Sequence, residues 1–588
     1  MMQQCWSQLD WGRRWEGPGR VGELVSEPQE GDEPDPRRWW TLAILITTVI
    51  LIAVDTSVLN VSIPTILREL DTTVPSLQWV ITGYSLTFAS LLIIGGRLGD
   101  IYGHRRLFVI GVILFGLGSL LASEARSVGV LILGEAVIEG VGAALMAPAT
   151  LAILSTTFKG RERATAFASW GATAGAAVAF GPVLGGFLTT NYSWRWSFRI
   201  NVVVAPLAVL GAIVVMRKGA RATKTPIDLP GAALVASGMF LLVFALSEGG
   251  EYGWLTPTRS LSVGGVEVWS PSWAISIVPV VLVVAFGLLA AFVVLERSKE
   301  RRGANPLFEF SQLQFRTFRY GLLTLGILAM GQLGLLFALP LFLQDAVHLT
   351  AEENGLWLLP LGLFVIVGSQ VGARLTRVMS TTIVVRLGLL IESFALVLVV
   401  WSITPDITFM RILPGLAIFG IGLGFASSQL TNVILSEISS EKSGVASGAT
   451  STARQLGAAL GAAVIGSVLT VQTTNRAIAA TRAAVDLPES VRAQAIAGLH
   501  ALGPNYSPPP TVSPADAATL NHVLTQSLAE ASRLALIFAA CVVFAGALLS
   551  FLIPLVRPTP RGGASEVVET FEPLGPMEVD RRLLDAQT

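Results

Sequence analysis

The sequence is poor in charged residues, which make up 14% of its 588 positions, whereas soluble domains carry about a quarter. Hydrophobic residues make up 52% of the chain. These proportions exclude an ordinary soluble domain and indicate that lipid is the main solvent of the protein. Lys and Arg together number 40, as do Asp and Glu, so net charge gives no reason to expect a nucleic-acid partner.

Cysteine and histidine are scarce as well. The two cysteines, Cys5 and Cys541, cannot build a disulfide framework or a metal cluster. The four histidines all fall in predicted loops and show no metal-ligand spacing: His104, His348, His500 and His522. No phosphate-cradling Gly-rich sequence ending in Gly-Lys-Ser or Gly-Lys-Thr occurs. We therefore expect no metal, no nucleotide and no other cofactor, and these absences argue against a polytopic membrane enzyme.

Long hydrophobic runs dominate what is present. Apolar stretches of about 20 residues, the length that crosses a bilayer core, occur fourteen times and group as six, two and six. This predicts an all-α membrane protein with two six-helix bundles and two inserted helices. The predicted parts are a disordered cytoplasmic tail at 1–38, the first bundle at 39–216, the inserted helices and loops at 217–318, the second bundle at 319–557 with a long outer loop at about 471–530, and a cytoplasmic tail at 558–588.

The two six-helix groups resemble each other. Gly-Val-Gly at 140–142 has a counterpart in Gly-Ile-Gly at 420–422, which favours a duplicated, pseudo-symmetric half. Glycine-rich helices also share such similarity by chance. Basic residues concentrate in the loops on one side, so the positive-inside rule places both termini in the cytoplasm. We expect a multi-pass monomer of the cell membrane whose main surroundings are the lipid bilayer.

A polar motif joins the second and third spans. Its glycines allow two helix ends to approach, and its carboxylate and cations could form a breakable ionic latch. A tight turn with ordinary positive-inside charge remains the alternative. The motif consists of Gly96, Arg97, Asp100, Gly103, Arg105 and Arg106.

This stretch resembles the loop motif of the major facilitator superfamily at every defining position. The resemblance implies the fold of that superfamily, two pseudo-symmetric six-helix bundles. It also implies that Asp100 and Arg97 help to hold one gating state, and that Gly96 and Gly103 permit close packing.

The fifth span carries small residues at helical spacing and a proline that can kink it. Generic packing explains that spacing equally well. The segment is nevertheless similar to the antiporter motif of exporters in the same superfamily, a resemblance that implies efflux. The residues concerned are Gly175, Gly181, Pro182, Gly185 and Gly186.

Asp55 stands deep in the first span, where insertion of a charged residue costs about 2.5 to 3.5 kcal/mol. A carboxylate with a purely structural role is the alternative to one on a transport pathway. The stretch resembles the first-helix motif of the fourteen-helix drug:proton antiporter family, with Asp55 and Asn60 in register. That resemblance makes Asp55 the leading candidate for proton coupling.

The fourth span places Glu135 and Glu139 on one face, because they are four residues apart. Asp55 and Glu139 lie at similar depths, each roughly 22 to 24 Å from the cytoplasmic end of its helix, so they could line one cavity and exchange protons. Alternatively, Glu135 lies at the outer interface and Glu139 bonds a neighbouring helix. Related fourth helices carry arginine and glutamine where this chain has Ala136 and Glu139, so an arginine-based proton relay cannot be transferred.

Polar side chains within the spans could meet a substrate, although helix–helix hydrogen bonding is the favoured explanation. These candidates are Asn60, Gln332, Gln429 and Asn432. The sequence as a whole predicts a secondary transporter that exports a lipophilic drug or metabolite in exchange for protons, by alternating access. A facilitator or importer of a small solute is the alternative, and the substrate's identity stays open.

Overall fold

A computed structural model of the protein describes residues 35–72, 74–217, 226–263, 266–557 and 566–568. The chain divides into two compact units, residues 1–36 and residues 37–588, and every helix and strand below belongs to the second. Of the two predicted tails, only residues 35–38 and 566–568 are described.

The first half of the second unit consists of six long helices joined by short loops. A helix forms most of its backbone hydrogen bonds within its own segment, as a lipid environment requires. They are α1 (Arg38–Glu69), α2 (Val74–Tyr102), α3 (His104–Ser123), α4 (Val128–Thr157), α5 (Gly160–Asn191) and α6 (Arg195–Val215).

Two inserted helices follow, α7 (Leu229–Tyr252) and α8 (Ile277–Arg301). A short antiparallel hairpin, β1 (Leu261–Val263) and β2 (Val266–Trp269), lies between them. Asp228 caps α7 by accepting the N–H of Gly231 at 3.0 Å, and Lys299 of α8 pairs with the same carboxylate. Burial alone would raise the pKa of Asp228, but its hydrogen bonds with Glu296, Lys299 and Gly231 hold that pKa below its ordinary value.

The second half contains six long helices and one short one. They are α9 (Arg316–Asp345), α10 (Ala351–Leu375), α11 (Thr381–Ser402), α12 (Phe409–Ile434), α13 (Ser443–Ala483), the short α14 (Glu489–Leu502) and α15 (Pro514–Leu549). Strands β3 (Leu555–Arg557) and β4 (Glu566–Val568) pair antiparallel after α15.

The lengths of the helices agree with a multi-pass membrane protein. Within the described residues, twelve helices are long and apolar enough to cross a membrane. The other two long helices, α1 and α5, each include residues whose side chains the structure does not describe, and α1 contributes a shorter apolar segment, Arg38–Ile52. The predicted all-α membrane fold is confirmed, and the arrangement is consistent with the predicted fourteen spans.

The internal duplication is visible in the way that helices touch. A Cβ atom added to Gly111 of α3 would lie 2.8 Å from the carbonyl oxygen of Gly142 on α4. A Cβ atom added to Gly388 of α11 would lie 2.8 Å from the carbonyl oxygen of Gly422 on α12. The third and fourth helices of each half therefore pack through matching glycines, as the Gly-x-Gly repeat predicts.

The segment at about 471–530, predicted as a long outer loop, is mostly helical. Helix α13 has 41 residues and is therefore about 61 Å long, roughly twice the thickness of a bilayer core. Its end packs with α14 and the start of α15 around Ala477, Leu499 and Leu520. A count of apolar runs missed this region because these helices continue beyond the membrane with a mixed composition.

Candidate functional site

Three buried carboxyl groups meet in the first half. Asp55 comes from α1, and Glu135 and Glu139 come from α4. Their exposed fractions are 1%, 1% and 0%, and one oxygen from each lies within 4.8 Å of the others. The structure thus brings together the three residues that we predicted as proton carriers, and it buries Glu135 instead of leaving it at the outer interface. Their role in coupling stays a prediction.

An irregular segment of α4 presents the two glutamates. Residues Ile132–Glu139 form a π-helix, a conformation that is frequent at functional sites. Glycines bring α3 against this segment, since a Cβ atom on Gly118 would lie 2.6 Å from the carbonyl oxygen of Gly134. The π segment could not be predicted from the sequence, because a pattern of apolar residues does not distinguish a π-helix from an α-helix.

Two neutral side chains hold the carboxyl groups in place. The amide of Asn201, on α6, donates to Asp55 Oδ1 at 2.8 Å and to Ser119 Oγ at 3.1 Å. Ser119, on α3, donates in turn to Glu139 Oε1. Neither Ser119 nor Asn201 was among the predicted site residues. Their only signal was a polar residue within an apolar helix.

The cluster cannot be fully charged. Two negative charges 4.8 Å apart repel each other by about 3.5 kcal/mol at an effective dielectric constant of 20, and burial penalises each charge further. One oxygen of each carboxyl group is buried without a hydrogen-bond partner. Tyr84 lies close enough to interact electrostatically with all three groups. The arrangement suits groups that hold and exchange protons, and its oxygens could also contact a hard cation.

The arginine that related fourth helices carry has no room here. Ala136 is 1% exposed, and a Cβ atom on Gly83 of α2 would lie 2.9 Å from the Cβ atom of Ala136. Helices α2 and α4 therefore touch where that arginine would project. Within the described residues, no Lys or Arg forms an ion pair with the three carboxyl groups.

A second group of predicted residues joins α2 to α13 at the predicted cytoplasmic face. Asp100 accepts hydrogen bonds from the backbone N–H groups of Gly444 and Val445, at 2.8 and 2.9 Å. These groups belong to the first turn of α13, where the helix dipole favours an anion. His104 Nε2 lies 3.4 Å from Asp100 Oδ1. The latch is therefore a carboxylate bound to a helix N-terminus, and the pairing with motif cations that we predicted is not its main contact.

The other motif residues have separate roles. Arg97 lies close enough to interact electrostatically with Asp100. Arg105 donates to the carbonyl oxygen of Ile213 on α6 at 2.7 Å, and Arg106 is exposed. Gly96 packs closely against Gly444, as predicted. Gly103 does not provide the predicted close packing, because nothing lies within 4 Å of a Cβ atom added to it. Its φ of +94° instead forms the turn, a conformation that glycine adopts readily.

A second contact between the halves joins α5 to α10 and α12. Gln429 of α12 donates to the carbonyl oxygen of Ala164 at 3.3 Å, and Arg163 of α5 donates to that of Leu435 at 2.8 Å. A Cβ atom on Gly175 would lie 2.5 Å from Val365 of α10. Gln429, predicted as a cavity residue, therefore ties the two halves together, and Gly175 provides the close packing expected of its motif.

The remaining predicted residues fall in three groups. Gly181 and Gly185 are buried in α5, and Asn432 is partly exposed at the end of α12. Gln332, on α9, is partly exposed and has its side-chain nitrogen buried without a partner. The surroundings of the last three residues lie outside the described part of the structure: Asn60, Pro182 and Gly186.

Sequence reasoning also missed Arg454. It lies on α13 and donates to Ser427 Oγ at 3.4 Å and to Thr431 Oγ1 at 3.2 Å, both on α12. Its guanidinium carbon is 5.4 Å from the ring centroid of Trp170 on α5. A lone basic residue inside an apolar span was the available signal.

Comparison with known proteins shows which family and which relatives this chain resembles. The sequence matches the family profile described as Major Facilitator Superfamily over residues 45–255 and 253–462. It is 35% identical over 399 residues to the puromycin resistance protein of Streptomyces alboniger, covering 66% of this chain and 74% of the relative. It is 31% identical over 434 residues to a probable actinorhodin transporter of Streptomyces coelicolor, covering 72% and 70% of the two chains.

Among solved structures, the crystal structure of the human organic anion transporter MFSD10 is similar in fold. The TM-score is 0.54 at 13% sequence identity, and the match covers 88% of this chain and 99% of that one.

Proposed function

Because the chain belongs to the Major Facilitator Superfamily, we propose that it exports a lipophilic drug or metabolite across the cell membrane in exchange for protons. Membership of this family makes it a multi-pass membrane transporter and not an enzyme. Its relatives are named for puromycin resistance and for actinorhodin transport, which supports a lipophilic antibiotic or related metabolite as the compound exported.

The carboxyl cluster is the observation that carries the proposal. Asp55, Glu135 and Glu139 are too close together to be charged at the same time, so the cluster keeps protons while it is sealed. A rearrangement that separates α1 from α4, or that admits water, removes this constraint and releases a proton. Ser119 and Asn201 supply hydrogen bonds that stabilise a remaining charge.

Alternating access connects this proton step to movement of the substrate. The two halves meet through Asp100 at α13 and through Gln429 and Arg163 at the α5–α12 contact. We place these contacts on the cytoplasmic side, together with both termini, because basic residues concentrate in the loops there. In this state the transporter is closed to the cytoplasm, so protons reach the cluster from outside and substrate leaves to the outside.

The proton gradient is sufficient as an energy source. One proton that crosses 100 mV releases about 2.3 kcal/mol, which supports roughly 50-fold accumulation of a neutral compound. The transporter then needs no nucleotide and no resident cofactor, and we propose that the monomer carries out the whole cycle.

Purified protein in proteoliposomes tests the proposal. With puromycin on one side and an imposed pH gradient, we expect puromycin to accelerate the decay of that gradient, reported by a trapped pH-sensitive dye. A matched preparation with a sodium gradient and no pH gradient serves as the control for coupling to another cation. Puromycin flux that proceeds at the same rate with and without a pH gradient would contradict proton antiport and favour a facilitator.

A further inference from the structure

Arg454 is an unusual residue for the interior of this protein. It follows the first residue of α13 by 11 positions, which places it about 17 Å along the helix. Within the described residues, the ion pairs do not include Arg454. A guanidinium that stays charged within a membrane span without a carboxylate is costly, and such residues usually mark a substrate or ion pathway.

The hydrogen-bonding capacity of Arg454 is largely unused. A guanidinium group has five N–H donors, and within the described part of the chain Arg454 makes two hydrogen bonds, to the neutral hydroxyls of Ser427 and Thr431 at 3.4 and 3.2 Å. Its neighbour Trp170 is 9% exposed, and its indole N–H is buried without a partner. Arg454 and Trp170 therefore offer several donors that no described acceptor satisfies.

These residues lie at the interface between the two halves. Trp170 belongs to α5 in the first half, whereas Arg454 and Ser427 belong to α13 and α12 in the second. The next residues along the chain, Gly171 and Ser428, are in close contact across the same interface. Arg454 is only partly buried, so part of its surface stays exposed beside the contact between Gly171 and Ser428.

We propose that Arg454 and Trp170 form a binding site for the anionic group of an aromatic substrate, such as a carboxylate, a phenolate or a sulfonate. The planar guanidinium can bind two oxygens of such a group at once, and the indole N–H donates to the same anion. The inference rests on the proposed function, because it adds anionic aromatic compounds to the lipophilic compounds that the transporter would carry. The site combines α5 of the first half with α13 of the second, whereas the carboxyl cluster of Asp55 lies on α1 and α4.

Equilibrium binding of two matched dyes tests this site. Fluorescein and rhodamine 6G share a xanthene ring system, but fluorescein is an anion in mildly alkaline buffer and rhodamine 6G is a cation. Binding is measured by fluorescence anisotropy on protein in lipid nanodiscs, with empty nanodiscs subtracted. We expect Arg454→Gln to weaken fluorescein binding at least 10-fold and to leave rhodamine 6G binding within about 2-fold.

Two further variants distinguish a direct role in binding the anion from a purely structural role. Arg454→Lys keeps the charge but loses the planar fork, so we expect it to recover part of the fluorescein affinity. Trp170→Phe keeps the ring and removes the indole N–H, and we expect a several-fold loss for fluorescein alone. Arg319→Gln, which removes an exposed cation from α9, is the matched control and should change neither dye.

Unchanged fluorescein binding in Arg454→Gln would overturn the proposal, and so would equal losses for both dyes, which would indicate a structural role. This binding requires no gradient. Failure of puromycin to collapse the pH gradient would therefore count against proton antiport and leave the anion site standing, whereas loss of the dye difference would count against the anion site alone.

Discussion

Asp100→Asn should open the cytoplasmic contact between α2 and α13. The native carboxylate accepts two backbone N–H groups from the start of α13, at 2.8 and 2.9 Å. Asparagine offers one oxygen, so its amide nitrogen would face the second N–H group. A hydrogen bond to a charged group is worth about 1.5 to 3 kcal/mol, and the interaction with the helix N-terminus adds about 0.3 to 1 kcal/mol.

Taking about 2 to 3 kcal/mol as the net loss, the ratio of closed to open molecules should fall about 30- to 150-fold. Spin labels on Tyr102 and Glu441, both exposed near this contact, report the ratio by double electron–electron resonance. The background carries Cys5→Ser and Cys541→Ser. We expect a short distance in the parent protein and a growing population at longer distance in Asp100→Asn.

The control for this experiment is Arg106→Gln, which removes an exposed charge from the first turn of α3 and should leave the distances unchanged. Folding of each variant is checked by its elution as a single species in detergent. If Asp100→Asn elutes normally and its distance distribution coincides with that of the parent, the carboxylate does not hold the two halves together and the reasoning is refuted.

Three other changes test the packing and hydrogen bonds of the fold. Ser119→Ala leaves Glu139 without its buried donor, and at about 1 to 3 kcal/mol it should slow puromycin-driven proton flux about tenfold in proteoliposomes. Gly118→Ala forces a Cβ atom to within 2.6 Å of the α4 backbone and should cost about 1 to 3 kcal/mol, seen as a lower melting temperature, whereas Gly250→Ala, with nothing nearby, should not. Asp228→Asn should lower the melting temperature at neutral pH. Because the folded-state pKa of Asp228 lies below its ordinary value, the difference from the parent should begin to shrink as pH falls below about 4 and should be lost as pH falls through the folded-state pKa.

Much of the fold could be predicted because lipid imposes strong rules on sequence. Apolar runs mark the spans, and the Gly-x-Gly repeat marks the duplicated halves. The meeting of Asp55 and Glu139 followed from their similar depths in two helices, since the rise per residue is fixed. Where helices continue beyond the bilayer, as α13 does to Ala483, these rules no longer apply, and the helical structure of the predicted outer loop was not foreseen.

The partners within each site were harder to predict. Asp100 accepts hydrogen bonds from the backbone N–H groups of Gly444 and Val445. Every residue except proline has such a donor, so residue type does not show which one binds the carboxylate. Ser119 is one of many small polar residues in the spans, and nothing in the sequence shows which of them faces Glu139. The role of Gly103 was misassigned because close packing and a positive φ both select glycine.

Proton-coupled flux in a variant without the central carboxyl groups tests the account most directly. Asp55→Asn and Glu139→Gln, combined in one protein, keep the size of both side chains and remove two of the three groups that can exchange protons. In proteoliposomes with a pH gradient, we predict that the double variant still binds puromycin but no longer lets puromycin collapse the gradient. Collapse at the parental rate, with equal protein in both preparations, would contradict the claim that this cluster carries the proton.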